Sequence, residues 1–198
     1  MGCPYSEQIQ ARLWRGDPER GAFDVFAVLD GARDERIQRT LFRSPSSCCV
    51  ENRRLSPAVR AAAPQLVRLR QREPILGQLL TGGWGESWGI YAISRGRRAL
   101  EEIRRHFHSL LRVESEDGRA LVFRYYDPRV LREILPTCSR GQLEAFFGPI
   151  REYWLEDEGG EALLRFTFDG KLLYRTRIDW PGGEEHERAP EPIAPYDA

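Results

Sequence analysis

Short apolar runs alternate with stretches whose apolar residues follow helical spacing along most of the chain. Residues 23–29, FDVFAVL, are mostly apolar and end at Asp30-Gly31. This pattern is typical of a buried strand followed by a turn. Residues 121–126 also predict a strand, in which alternate side chains, including Leu121 and Tyr125, lie on the same face. Two further strands are predicted over residues 46–50 and 88–93.

Capping residues mark several helix starts. Ser56 precedes Pro57, a pairing typical of an N-cap and the first helical position. Ser139 and Gln142 form a capping-box pattern. After Pro64, which interrupts or restarts the helix that begins at Pro57, we predict a helix that carries Leu66, Val67 and Leu69 towards Pro74. Further helices are predicted after Asp34, from Pro74 to Gly82-Gly83, over residues 100–111 and after Asp127-Pro128.

The last regular element predicted is a β-hairpin. Residues 163–168 and 172–178 are strand-like and flank Asp169-Gly170, a typical hairpin turn. The chain from Gly182 onward is rich in Pro, Gly and Glu and is predicted to be disordered. The alternation of strands and helices predicts an α/β fold: a mixed β-sheet with packed helices and a closing C-terminal hairpin. The predicted organisation is an N-terminal segment (1–22), a main domain (23–150), a hairpin extension (151–180) and a disordered tail (181–198).

The composition narrows the classes of function. Lys plus Arg and Asp plus Glu balance at 30 each among 198 residues, so we expect no nucleic-acid partner that depends on bulk positive charge. No apolar run reaches the roughly 18 residues of a membrane span, and we expect neither a secretory signal nor a membrane partner. The four cysteines lack zinc-site spacing, which favours reduced thiols in a cytoplasmic protein.

One motif suggests catalysis. Gly85-Glu86-Ser87-Trp88-Gly89 fits the serine-hydrolase pattern G-x-S-x-G. A nucleophile elbow follows a strand and begins a helix, whereas here a predicted helix precedes Ser87 and a predicted strand follows it. The only histidine late enough to complete the triad after Asp127 or Asp169 is His186, which lies in the predicted tail. We therefore predict that the protein is not an enzyme and has no catalytic residues. A serine hydrolase using Ser87 is the alternative function.

Metal and nucleotide sites have little support in the sequence. His106 and His108 diverge on a helix, although Glu102 lies one turn before His106. A solvated helix face explains these residues without a metal. Neither a Walker A motif nor a G-x-G-x-x-G motif is present. We therefore expect no metal site and no cofactor.

Two groups of residues fit either a structural role or a role in binding. Asp127 fits a helix cap before Pro128, whereas Arg124, Tyr126 and Arg129 fit either a hydrogen-bonded corner or an interaction surface. Trp84 and Trp88 could likewise be buried structural residues or part of an interaction surface, and burial is the favoured interpretation.

Four motifs in order resemble a known family. They are FAVLDGA (26–32), GWGESWG (83–89), FRYYDPRVL (123–131) and FGP (147–149). This combination resembles the type VI secretion effector adaptor or chaperone family, a VgrG-linked domain of unknown function in bacteria. The resemblance covers roughly residues 23–150, which would then be the adaptor domain.

The resemblance implies a protein that binds a cognate effector toxin in the cytoplasm and loads it onto the VgrG spike. The expected partners are therefore the effector and VgrG. This chain departs from many relatives, which carry a longer helical C-terminal region, and that leaves its mode of effector recognition open. The candidate residues for protein binding or for the fold corner are Asp30, Trp84, Trp88, Arg124, Tyr126, Asp127, Arg129 and Phe147.

Overall fold

A computed structural model describes residues 5–15, 21–42, 44, 46–114, 118–181 and 184–196. Cys3 and part of the predicted N-terminal segment lie outside these residues. The helices are α1 (Ser6–Leu13), α2 (Glu35–Leu41), α3 (Pro57–Ala62), α4 (Pro74–Gly83), α5 (Leu100–Ser109), α6 (Pro128–Ile134) and α7 (Arg140–Phe147), with a 3₁₀ turn at Leu135–Thr137.

The strands are β1 (Val25–Leu29), β2 (Ser47–Cys49), β3 (Gln65–Leu69), β4 (Gly89–Ser94), β5 (Arg112–Glu114), β6 (Ala120–Val122), β7 (Ile150–Glu156), β8 (Ala162–Phe168), β9 (Leu173–Asp179), β10 (His186–Glu187) and β11 (Glu191–Ile193).

One large antiparallel sheet organises the fold. Its strand order is β10-β9-β8-β7-β4-β1-β3-β2, and β11 also pairs with β9. Strand β1 is an interior strand, because it pairs with β3 on one side and β4 on the other. Strands β5 and β6 form a separate hairpin. The C-terminal strands β7 to β9 therefore extend the same sheet that β1 and β4 begin.

Both faces of this sheet are covered by helices. Within β1, Phe26 and Val28 enter the core beneath α5, α6 and α7, whereas Ala27 and Leu29 enter the core beneath α1, α2 and α4. Successive residues of a strand point to opposite faces, so a strand covered on both faces must be apolar throughout. This explains why the apolar run of β1 is continuous rather than alternating.

The predicted fold class is confirmed: helices pack on a large sheet, and β8 and β9 form the C-terminal hairpin. Four predicted helix starts are also confirmed by their capping bonds. Asp34, Ser56 and Asp127 each accept a hydrogen bond from a backbone N–H of the following helix, and Ser139 forms the complete capping box with Gln142.

Two element predictions are wrong. Gln65–Leu69 form β3 rather than a helix, because pairing with β1 buries the run on both faces of the sheet. The strand predicted over 121–126 ends at Val122. Beyond it the Asp127 N–H donates to the Arg124 carbonyl, so the chain turns and enters α6 instead of continuing the ladder.

The disorder predicted for residues 181–198 does not agree with the structure, which describes residue 181 and residues 184–196. Strands β10 and β11 both pair with β9. Ion pairs hold them there: Arg175 Nη2 lies 2.6 Å from Glu191 Oε2, and Arg165 Nη2 lies 2.8 Å from Glu187 Oε1. Cross-strand charge pairs of this kind offset the low apolar content of the segment.

The described residues include no helix with the length and apolar character required to cross a lipid bilayer.

Candidate functional site

Four of the predicted site residues meet where β1 ends and α6 begins. Asp30 follows the last residue of β1, and Arg124 lies in the turn before α6. Asp127 is the N-cap of α6, with its side chain accepting a hydrogen bond from the Arg129 N–H at 3.0 Å. We call Asp30, Arg124, Asp127 and Arg129 the arginine corner.

The arginine corner is a continuous network of charge-assisted hydrogen bonds. Arg124 Nη2 donates to Asp30 Oδ2 at 2.6 Å and to Asp127 Oδ2 at 3.3 Å. Arg129 binds Asp127 through two atoms, with Nε 3.0 Å from Oδ1 and Nη2 2.7 Å from Oδ2. Asp30 Oδ1 also accepts the Ala32 N–H at 3.1 Å. Arg124 thus joins two segments that are distant in sequence.

Burial differs sharply between the acids and the bases of this corner. The Asp30 and Asp127 side chains are each 3% exposed, whereas those of Arg124 and Arg129 are 47% and 46% exposed. Burial alone would raise the pKa of Asp127, but hydrogen bonds from Arg129 and the arginine charges outweigh it and lower that pKa. Burial would lower the pKa of Arg124, and the hydrogen bond to Asp30 reverses this. The corner therefore presents two fixed positive groups to solvent.

Tyr126 lies beside the arginine corner and is buried. Burial raises the pKa of its hydroxyl, and the negative charge of Asp30 acts in the same direction. The phenol is therefore a neutral group, able to donate a hydrogen bond or to pack against an apolar surface.

The two candidate tryptophans are buried in the core beneath α1, α2 and α4. Trp84 Nε1 donates to the Gly160 carbonyl at 2.7 Å. Trp88 is closer to the arginine corner, because its carbonyl accepts the Asp30 N–H at 2.8 Å. The Arg36 guanidinium lies 5.0 Å from the centre of the Trp88 ring, within cation–π range. These contacts give both tryptophans a structural role behind the corner.

Ser87 lies in the loop between α4 and β4, with φ of 56°. Its hydroxyl donates to Glu156 Oε1 at 3.3 Å, and Glu156 also accepts the Gly85 N–H at 2.6 Å and the Ser87 N–H at 2.8 Å. Burial raises the pKa of Glu156, and these hydrogen bonds oppose the shift. The bond of the Ser87 hydroxyl thus goes to a carboxylate rather than to an imidazole.

The histidines on α5 have separate partners. His106 Nε2 lies 3.1 Å from the Phe146 carbonyl, and burial lowers the pKa of His106 to about 4. His108 Nε2 lies 3.2 Å from Glu51 Oε1. Among the described residues, no three His, Cys, Asp or Glu side chains are grouped so that they could hold a metal ion.

Phe147 lies apart from the arginine corner. It is fully buried at the end of α7, and its ring packs against those of Tyr153 and Phe168, with centroids 5.2 Å and 5.7 Å away. The structure therefore places this candidate in the aromatic core beneath α5, α6 and α7.

Another buried carboxylate, Glu51, was not identified from the sequence. Glu51 is 8% exposed and accepts hydrogen bonds from Arg53 at 2.9 Å and Arg112 at 3.1 Å. Burial alone would raise the pKa of Glu51, but hydrogen bonds from Arg53 and His108 outweigh it and hold that pKa at about 2. Glu51 stands next to no sequence motif. Although Arg53 is close in sequence, His108 and Arg112 are 57 and 61 residues away, so no local signal reveals this cluster.

The Glu51 cluster gives a testable pH dependence. Because the folded pKa is depressed, the contribution of Glu51 to stability is fully present above the ordinary pKa of 4.5 and is lost as the pH falls towards about 2. We expect Glu51→Gln to lower the free energy of unfolding by about 1–2 kcal/mol at neutral pH and by much less near pH 2.5. Urea unfolding at both pH values measures this difference.

Glu144→Gln is the matched control, because Glu144 belongs to an exposed ion pair with Arg140. It is expected to change the free energy of unfolding by less than about 0.5 kcal/mol. An equal loss for Glu51→Gln at both pH values would refute the assigned ionisation of Glu51.

Comparison with known proteins identifies one family. The family model described as a domain of unknown function, DUF4123, matches residues 25–145, which is more than half of the chain. The matched region contains the whole arginine corner and the loop with Trp84 and Trp88. No curated protein and no solved structure gives a significant match.

Proposed function

The chain belongs to the DUF4123 family, and from this membership and its motifs we propose that it is a type VI secretion adaptor. In this role it binds a cognate effector in the cytoplasm and helps to load that effector onto the VgrG spike. The link to type VI secretion comes from the resemblance of the four sequence motifs, since the family description names no function.

The arginine corner is the observation that supports this proposal most. Two buried carboxylates fix two guanidiniums that are each about half exposed. Arginine held in a rigid position loses little entropy on binding and recognises carboxylates through two parallel hydrogen bonds. Arginine is also enriched among the residues that dominate binding energy at protein interfaces. The corner therefore has the chemistry of a preformed protein-binding anchor.

We propose that the protein acts without catalysis. Ser87 is bonded to Glu156 in a loop that runs from a helix to a strand, the reverse of a nucleophile elbow. A fluorophosphonate probe tests this directly. We expect no stoichiometric labelling, and labelling that disappears in Ser87→Ala would instead establish a serine hydrolase.

The adaptor proposal is tested by affinity capture from the native cell extract with folded, tagged chain as bait. We expect recovery of a VgrG spike protein, a toxin-like effector or both, followed by reconstitution of the same complex from purified components. If folded bait recovers neither partner, the proposal fails. A heat-unfolded bait is the control for non-specific capture.

A further inference from the structure

A shallow groove lies between α3 and the β5–β6 hairpin. Its volume is about 250 Å³. Val59 on α3 and Val122 on β6 both line it, and they are 54% and 72% exposed. Large apolar side chains that remain this exposed are costly in water and mark interaction sites when they lie together. The other apolar lining residues are Leu55, Ala62, Ala63, Pro64, Leu111 and Tyr126.

The charged residues on the rim of this groove present positive groups outward. Arg53 and Arg112 line it, with side chains 63% and 43% exposed. The Glu51 carboxylate that binds both of them is 8% exposed. This is the arrangement of the arginine corner repeated: an acid buried beneath exposed guanidiniums. A partner approaching the surface therefore meets the cations before the anions.

The groove is continuous with the arginine corner. Tyr126 lines the groove, and its hydroxyl lies close enough to Asp30 and Arg124 for their charges to affect the pKa of Tyr126. On the other side Gly31, next to Asp30, packs against the carbonyl oxygens of Ala61 and Ala63, and Ala63 also lines the groove. The groove thus has two exposed guanidiniums on its rim and adjoins the arginine corner, which has two more, in a chain whose formal net charge is zero.

We propose that this surface binds an acidic segment of a protein partner, which inserts one large apolar side chain between Val59 and Val122. Carboxylates on either side of that side chain pair with Arg53, Arg112, Arg124 and Arg129. The proposal rests on the adaptor function and specifies the chemistry of its partner. The groove volume suits a single side chain, and charge complementarity excludes a basic segment.

The test uses designed peptides with the full-length chain. A fluorescent peptide of about twelve residues contains Glu, Asp and Ser around one central Phe; a second has Ser in place of Phe, and a third has Lys in place of the acids. Fluorescence anisotropy should show the acidic Phe peptide binding with a Kd below about 1 mM, and at least tenfold more weakly without Phe or with Lys. Raising NaCl from about 0.05 M to 0.5 M should weaken its binding severalfold.

Two pairs of exposed variants locate the site. Val122→Asp should abolish peptide binding, whereas Leu121→Asp should preserve it, because Leu121 is also exposed but points to the opposite face of the hairpin. Arg53→Gln should weaken binding about three- to tenfold, whereas Arg39→Gln at an exposed pair on α2 should not. Circular dichroism checks that each variant is folded.

The peptide experiment would overturn the proposal if the acidic Phe peptide did not bind, if the Lys peptide bound equally well, or if folded Val122→Asp bound the Phe peptide as wild type does. A dimer of the chain that Val122→Asp dissociates would assign the groove to a second copy and also reject it. Affinity capture distinguishes failure of the groove proposal from failure of the adaptor function. Effector capture that is equal for wild type and Val122→Asp rejects the groove alone, whereas peptide binding without effector or spike capture rejects the adaptor function alone.

Discussion

Replacing Gly31 by alanine is expected to lower the free energy of unfolding by about 3 kcal/mol, the upper end of the usual cost of overpacking, because the new methyl group has no space. A Cβ on Gly31 would lie 2.1 Å from the Ala61 carbonyl oxygen and 2.4 Å from that of Ala63. Both atoms belong to the backbone, so no side-chain rotation relieves the clash. Either the end of β1, together with Asp30, or the end of α3 must therefore move. Urea unfolding of wild type and variant measures the loss.

Gly141→Ala is the matched control for this substitution. Gly141 lies in α7, and a Cβ there would meet no atom within 4 Å. Because alanine is the better helix former, this variant should be as stable as wild type or more stable by up to about 1 kcal/mol. If Gly31→Ala proved as stable as Gly141→Ala, the close approach of β1 to α3 would be wrong.

Replacing Asp127 by alanine is expected to lower the free energy of unfolding by about 2–3 kcal/mol. The substitution removes the N-cap of α6, which typically contributes about 1 kcal/mol. It also removes the carboxylate that binds Arg129 at two positions and Arg124 at one. Because both guanidiniums are about half exposed, water replaces part of this loss, and the cost stays below the 3–5 kcal/mol typical of breaking a fully buried ion pair.

Asp127→Asn separates the cap from the charge, since asparagine is also a good N-cap. It should lose roughly half as much stability as Asp127→Ala at neutral pH. The pKa of Asp127 is lowered from 3.8, so its charge stabilises the fold above that pH and this contribution is lost as the pH falls through the folded pKa. The difference between wild type and Asp127→Asn should therefore shrink below about pH 3.8. A constant difference across this range would contradict the ion pairing.

The fold could be predicted from the sequence wherever local chemistry decides the structure. The caps at Asp34, Ser56 and Ser139 and the turn at Asp169-Gly170 are local signals, and the structure confirms them. Residues 65–69 could not be assigned in this way. A short apolar run buried on both faces has no periodicity that separates strand from helix, and here pairing with β1 decides the outcome.

Only part of the candidate site could be predicted from the sequence. Asp30 and Arg124 stand in separate motifs 94 residues apart. Arg124 was a candidate because of its aromatic and acidic neighbours in sequence, whereas Asp30 became a candidate only through the resemblance to a family. Phe147 came from the same resemblance, yet the structure places it in the aromatic core. The groove wall at Val59 and Val122 carries no local signal, because exposure of an apolar side chain depends on how α3 and the β5–β6 hairpin are placed.

The most direct test of the central claim, an adaptor that binds protein through its arginine corner, is a titration of the purified effector with wild type, Arg124→Gln and Arg140→Gln. Arg140 is the control, because it is an ion-paired arginine of similar exposure on α7. We predict that wild type and Arg140→Gln bind with equal Kd, and that Arg124→Gln, still folded at the temperature of measurement, binds at least about tenfold more weakly. An unchanged Kd for folded Arg124→Gln, or no binding by wild type, would contradict the account.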